Sequence, residues 1–195
     1  MKYEAMVVGV SAGGVEALNL LLPCLPAKLP IPVMVVLHIG RFSIEALISQ
    51  LNKKSPVEIK EADSGEKILP GHVYFAPPNY HLLVECNKTF SLTVGELVKF
   101  SRPSIDILFE SAADFYREKL IGIVLTGANS DGAQGMKTIN KNGGYTIAQE
   151  PKTAVNGEMP GAAIALSTMN RIVPLQEIAL FFSSLDKFVL TGNKS

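Results

Sequence analysis

The sequence predicts an α/β fold: a doubly wound, mostly parallel sheet with helices on both faces and an antiparallel hairpin insertion. Three observations predict it. Apolar runs alternate with segments of helical period along most of the chain. The runs are near-continuously apolar, as strands buried on both faces are. The 195 residues, 47% hydrophobic and 18% charged, suffice for a domain with a substantial core. No internal repeat, low-complexity block or long linker divides them, so 1–195 is expected to be a single domain, its core running from about 4 to 186 and ending in a short tail.

In order, "AMVVGV" reads as a buried strand and "GVEALNLLLPCL" as a helix that Pro23 and Pro26 bring to an end. "IPVMVVLH" is the second strand. "SIEALISQLNKK" places Ile44, Leu47, Ile48 and Leu51 on one helical face, with Ser43 as its N-cap. "PVEIKEA" is a shorter strand. From "GHVYFAPPNYHLLVEC" to "FSLTVG", short alternating strands broken by "PPN" predict an antiparallel hairpin region. "PSIDILFESAADFYREK" is a helix opened by Ser104, with Ile105, Leu108 and Phe109 on one face. Strand "LIGIVLTG", helix "DGAQGMKTINKNGG" and strand "YTIAQ" resume the alternation. A short helix "GEMPGAAIAL", an edge strand "RIVP" and a helix "LQEIALFFSSL" complete it.

Eighteen basic residues balance eighteen acidic ones, which gives no electrostatic reason to expect nucleic acid or an anionic membrane surface as partner. No apolar run approaches the ~20 residues that span a bilayer. The N-terminus "MKYEAMVVGV" has neither the apolar length nor the cleavage pattern of a signal peptide. Cys24 and Cys86 are far apart and form no C-x-x-C, so they read as packed thiols in a reducing compartment, and a cytoplasmic location is expected.

In a doubly wound sheet the chemistry sits at the carboxyl ends of the strands. Ser11 follows "AMVVGV", His38 follows "VMVVL" and Asp131 follows "IGIVLTGANS". A serine hydroxyl is a poor nucleophile until a base takes its proton, imidazole is such a base near neutral pH, and a carboxylate on the far ring nitrogen fixes its tautomer. The glycines around Ser11 permit a sharp strand-to-helix bend and free backbone N–H groups for a developing oxyanion. "GVSAG" fits G-x-S-x-G, a pentapeptide common enough to be weak alone. Its glycines could equally cradle a phosphate, although G-x-G-x-x-G is missing and no acidic residue closes the second strand. The order Ser, His, Asp also differs from the Ser, Asp, His of α/β-hydrolases.

Taken together, "GVSAGG", "VVLHIG", "ILPGHVYFAPPNYHLLVE", "SRPSIDILFESAA", "GIVLTGANSDGAQGM" and "YTIAQEPKTAV…MPGAAI" resemble the catalytic domain of the chemotaxis protein-glutamate methylesterases (CheB), in order from about Val7 to Val173. The resemblance implies a serine esterase that hydrolyses glutamyl methyl esters on methyl-accepting chemoreceptors, releases methanol and also deamidates receptor glutamines. It places Ser11 as nucleophile, His38 as base and Asp131 as orienting carboxylate, with no metal or organic cofactor. Receptor cytoplasmic domains, and other chemotaxis signalling proteins, are the partners it implies. It also suggests backbone donation to the oxyanion near Ala128. Members usually carry an N-terminal receiver domain, and a stand-alone form without it is expected here, because the first strand begins almost at Met1.

Departures from the family pattern fall beside the chemistry. "TGANSDG" stands where T-G-M-G-x-D-G is usual, so Ala128 replaces a methionine and Asn129 a glycine, and Ala12 replaces the usual threonine. Asn129 is the milder change if that position is left-handed. Ala12, Ala128 and Met159 are candidate oxyanion or wall residues; Arg102 and Ser104 are candidate crevice residues, with helix capping an equal reading for Ser104. Asp131 could also cap the helix that follows it. His72 and His81 read as turn or surface residues, and Glu150 as a solvated loop charge. Two rival functions remain at this point: a nucleotide-binding module using "GVSAGG", and a weakened family member that docks on receptors or signalling partners.

Overall fold

The computed structural model describes residues 1–38 and 44–192. Nine strands are seen there: β1 (Ala5–Val10), β2 (Val33–Leu37), β3 (Glu58–Glu61), β4 (His72–Phe75), β5 (His81–Val84), β6 (Phe90–Thr93), β7 (Leu120–Val124), β8 (Tyr145–Gln149) and β9 (Arg171–Val173). The helices are α1 (Gly14–Leu21), α2 (Ile44–Asn52), α3 (Ile105–Tyr116), α4 (Ala133–Lys141), α5 (Glu158–Leu166), α6 (Leu175–Ser183) and α7 (Leu185–Thr191). Seven strands form one parallel sheet in the order β3-β4-β2-β1-β7-β8-β9, and β5 pairs antiparallel with β6 apart from it. This is the doubly wound architecture expected, and β9 is an edge strand, with β3 at the other edge.

Alternation along β1 explains the layers. Met6, Val8 and Val10 point to one face and pack with α1, α2, α6 and α7 through residues such as Leu18, Leu47, Phe182 and Phe188. Ala5 and Val7 point to the other, against α3, α4, α5 and the β5–β6 hairpin. Because both faces are covered, β1, β2 and β7 are buried at every residue, which is why they read as unbroken apolar runs.

Two expectations need correction. "HVYF" does not join the antiparallel region: β4 inserts between β3 and β2 of the parallel sheet, in register Val33↔Val73 to Val35↔Phe75. Val73, Tyr74 and Phe75 are buried, as befits a central strand, and four residues are too few for the sequence to distinguish it from a hairpin arm. Beyond residue 186, where a short tail is expected, the chain continues in α7, whose Phe188 ring lies parallel to that of Tyr3 at 5.1 Å. The thiols also differ from the buried packing expected: both are free, Cys24 half-buried and Cys86 exposed. The predicted N-cap Ser43 lies outside the described residues, as do Ile39 and Gly40 of "VVLHIG".

The sheet's direction of winding changes at β1, with β2 on one side and β7 on the other. That switch point opens a crevice above the carboxyl ends of these strands. Gly9 sets its depth. A Cβ there would stand 2.4 Å from Ile105 Cγ2 and 3.1 Å from Phe109 Cζ, so glycine lets the start of α3 lie directly on β1. Gly9→Ala is expected to force α3 outward and lower unfolding stability by about 1–3 kcal/mol. Urea unfolding checks this; an unchanged midpoint would mean that α3 yields without cost.

Candidate active site

The nucleophile turn is built first. Ser11 follows β1, and its N–H donates to Thr126 O at 2.9 Å, tying it to the end of β7. Gly13 then takes φ +80°, a left-handed conformation open to glycine, and caps α1; the Val155 side chain closes over it, Cβ 2.7 Å from where a Gly13 Cβ would sit. Thr126 clamps the turn from below: its Oγ1 donates to Ala12 O at 2.7 Å and accepts from Asn156 N–H at 3.0 Å, while its own N–H donates to Gln149 Oε1. Ser11 is half-buried and Ala12 exposed, and the hydroxyl is turned toward His38.

The structure brings Ser11, His38 and Asp131 together. His38 Nδ1 lies 3.2 Å from Ser11 Oγ, and His38 Nε2 lies 3.1 Å from Asp131 Oδ2. The proton on Nε2 is therefore donated as a hydrogen bond to the carboxylate, leaving the Nδ1 lone pair toward the hydroxyl, the reverse of the ring orientation in the chymotrypsin triad. The His38 side chain is 13% exposed and that of Asp131 is fully buried.

A buried carboxylate needs partners, and Asp131 has them. Oδ2 accepts from Ile105 N–H at 2.7 Å as well as from His38. Oδ1 accepts from Ser104 Oγ, Asp106 N–H and Gly132 N–H at 3.0–3.1 Å. Three of these donors, Ser104 Oγ, Ile105 N–H and Asp106 N–H, lie at the N-terminus of α3, so Asp131 caps that helix, while α4, which follows it in sequence, starts from Gly132 without a side-chain cap. Asp106 returns the favour, its Oδ1 accepting from Gly135 N–H in the first turn of α4 at 2.8 Å. Lys99 Nζ binds Asp106 Oδ2 at 2.8 Å and Ser130 O at 2.7 Å, fastening the 94–103 loop over both helix starts.

Burial pushes both carboxyls upward, but with different outcomes. For Asp131 the hydrogen bonds from His38, Ile105 and Asp106 outweigh burial and hold it below the usual carboxylate range. For Asp106 burial prevails over Lys99 and Gly135, helped by the nearby Asp131 charge, and its pKa is raised. A lowered folded-state pKa stabilises the native state above the unfolded value, about 3.9, and that stability is lost as pH falls through the folded value. Asp106 acts in the opposite sense, favouring the native state most at low pH and losing that contribution as pH rises through its raised value. Acidification from about pH 5 to pH 3 is therefore expected to lower the urea midpoint less in Asp131→Asn than in the wild type. Equal falls would show that the carboxylate is not gripped in the native state.

Of the other candidates, Ala128 is exposed and Asn129 half-buried on the loop after β7. Asn129 is not among the residues of positive φ; its Oδ1 accepts from Asp131 N–H at 3.0 Å and so fixes the loop by its side chain. Met159 is fully buried and stands behind Gly127, whose own Cβ position would meet Met159 Sδ at 2.7 Å and Ser11 Cβ at 2.9 Å. It supports the wall without forming its surface. Arg102 lines a groove of about 180 Å³ with His38, Phe100, Ser101 and Pro103, its Nη1 spent on Val94 O and Gly95 O. Ser104 does not line the crevice: it is fully buried, donating to Asp131 and accepting from Ile107 N–H. His72 pairs with Glu58 on β3, away from the site.

His81 departs from the turn-or-surface expectation, being 1% exposed at the start of β5. Thr126, Gln149, Asn156, Lys99 and Asp106 were not singled out from sequence. Thr126 is the one with a usable signal, a polar residue directly after the apolar run of β7. At the crevice mouth Phe100 is 97% exposed on a two-residue turn in which Lys99 and Phe100 both have positive φ. Among the described residues no His, Cys, Asp and Glu cluster fits a metal ion, and no helix is long and apolar enough to cross a membrane.

Comparison with known proteins gives a consistent answer. The family model described as CheB methylesterase matches residues 6–182. A putative protein-glutamate methylesterase/protein-glutamine glutaminase of Leptospira interrogans is 51% identical over 187 residues, 96% of this chain and 97% of that one. A protein-glutamate methylesterase/protein-glutamine glutaminase of Archaeoglobus fulgidus is 39% identical over 91% of this chain and 52% of its own length. The crystal structure of the Thermotoga maritima CheB methylesterase catalytic domain superposes with a TM-score of 0.89 at 31% identity, covering 95% of this chain and all of that one.

Proposed function

The chain belongs to the CheB methylesterase family, and from that premise we propose that it hydrolyses glutamyl methyl esters on methyl-accepting chemoreceptors to glutamate and methanol, with Ser11 as nucleophile. The observation that carries the reading is the unbroken line Ser11 Oγ, His38, Asp131, at 3.2 and 3.1 Å.

As Ser11 Oγ attacks the γ-carbonyl carbon, its proton passes to His38 Nδ1, and the imidazolium is stabilised by Asp131 at Nε2. The oxyanion is received by backbone N–H groups at Ala12 and Ala128, one directly after the nucleophile and one directly after Gly127, where any Cβ would stand 2.9 Å from Ser11 Cβ. As the C–O bond to the leaving group breaks, His38 passes the proton to the departing methoxide oxygen, methanol leaves, and an acyl-Ser11 intermediate remains. Water, giving a proton to the same nitrogen, then attacks the acyl carbon; the bond to Ser11 Oγ breaks, His38 returns the proton to that oxygen, and glutamate is released. Deamidation of a receptor glutamine follows the same course with ammonia leaving.

The test is methanol release from a purified, methylated receptor cytoplasmic domain, run beside labelling of Ser11 by a fluorophosphonate. Methanol release that prior labelling abolishes is expected. Labelling without methanol release would point to another ester as substrate. Neither labelling nor release would favour a docking module that has lost the chemistry, the reading suggested by Ala12, Ala128 and Asn129.

A further inference from the structure

His81 is a buried imidazole the mechanism above does not use, and both its nitrogens are engaged. Nδ1 accepts from Ser104 N–H at 3.1 Å; Nε2 lies 2.8 Å from Glu96 O. These partners define one tautomer, since the amide must find a lone pair at Nδ1 and the carbonyl a proton at Nε2. Ser104 is in turn the N-cap of α3 and donates its hydroxyl to Asp131 Oδ1 at 3.0 Å. A single chain of hydrogen bonds thus runs from the carbonyl of Glu96, on the loop that carries Phe100 to the crevice, through His81, Ser104, Asp131 and His38 to the nucleophile.

We propose that His81 is a positioning residue for the reaction, holding the Ser104 backbone so that the first turn of α3 keeps Asp131 in line with His38. The physical reason lies in the number of donors at that turn. Ser104 Oγ, Ile105 N–H and Asp106 N–H all converge on Asp131, so a rotation of the Ser104 peptide displaces three of its contacts at once. Ser104 N–H precedes the helix and is itself buried, and Nδ1 of His81 supplies the acceptor that fixes the peptide plane. Gly9 lets Ile105 rest on β1, while His81 restrains the same turn from the hairpin side. The assignment rests on the triad reading of the site, but its readout need not depend on the methyl ester.

Two substitutions separate positioning from simple core support. His81→Asn keeps an acceptor where Nδ1 stood and loses the bond to Glu96. His81→Gln reaches Glu96 and loses the acceptor for Ser104. Each gives up one buried hydrogen bond, so their thermal midpoints should fall alike. Ser11 phosphonylation by a fluorophosphonate, measured well below both midpoints, reports nucleophile activation alone. The Gln variant is expected to lose roughly 10- to 100-fold in the maximal labelling rate with unchanged probe affinity, and the Asn variant to stay within about threefold of wild type. In an Asp131→Asn background the Gln substitution should add no further loss, because the group it serves is already disabled. Equal rates in the two variants, a loss carried by probe affinity, or a full loss persisting in the Asp131→Asn background would each overturn the assignment. Absence of labelling in the wild-type protein would instead count against Ser11 as nucleophile.

Discussion

Replacing Ser11 by alanine is expected to lower methanol release roughly 10⁴- to 10⁶-fold while leaving the fold intact. Among the described residues the hydroxyl's hydrogen-bond partner is His38, whose side chain is partly exposed, so removing it strands no fully buried group. The backbone bonds that shape the turn, Ser11 N–H to Thr126 O and Gly14 N–H to Ser11 O, do not involve the side chain. An unchanged circular-dichroism melting curve with activity at the background rate is the expected pair of results. A variant retaining a tenth of normal turnover would remove Ser11 from the mechanism. Loss of activity with a collapsed melting curve would mean that the side chain supports the fold.

Asp131→Asn should cost about 10⁴ in kcat, for a reason the hydrogen bonds make specific. An asparagine places one oxygen and one NH₂ where two acceptors stood. With NH₂ at the Oδ1 position it would confront Ser104 Oγ, Asp106 N–H and Gly132 N–H; at the Oδ2 position it confronts Ile105 N–H and the His38 ring. The second arrangement sacrifices fewer donors. It aims an N–H at His38 Nε2, which reverses the tautomer and leaves a proton on Nδ1, the atom that must accept one from Ser11. Because a donor facing a buried donor is costly, unfolding stability should also fall by about 1–3 kcal/mol. Steady-state methanol release and urea unfolding test both halves. Unchanged kcat would show that the carboxylate is only a helix cap, and unchanged stability that its grip on α3 is weaker than the geometry indicates.

Both expectations start from residues that the sequence displayed at strand ends. Ser11, His38 and Asp131 were legible because each directly follows, or closely follows, a strand whose apolar run is unbroken. The parallel sheet was legible for the same reason, since β1, β2 and β7 are buried on both faces. What escaped is what depends on contacts across the sheet. "HVYF" has too few residues to show a period, so nothing local distinguishes a central parallel strand from a hairpin arm. His81 sits at the start of a hairpin strand, and its ring nitrogens find their partners in Glu96 and Ser104, 15 and 23 residues on. The role of Ser104 as a buried link instead of a crevice residue follows from where Asp131 lies, 27 residues away. Gly9 likewise reads as part of a serine motif, whereas its work is to admit α3.

The exchange of caps between the two helices reaches into how the protein is made. Asp131 completes the first turn of α3, and Asp106, within α3, completes that of α4. Each element thus lacks its terminal partner until the other has docked, and the partners come from regions separated by a strand and a helix. On refolding from denaturant, helix content and catalytic competence should therefore part company: a collapsed chain with most of its sheet formed stays inert until these two ends meet. Recovered turnover, rather than ellipticity, would then time the last step of assembly.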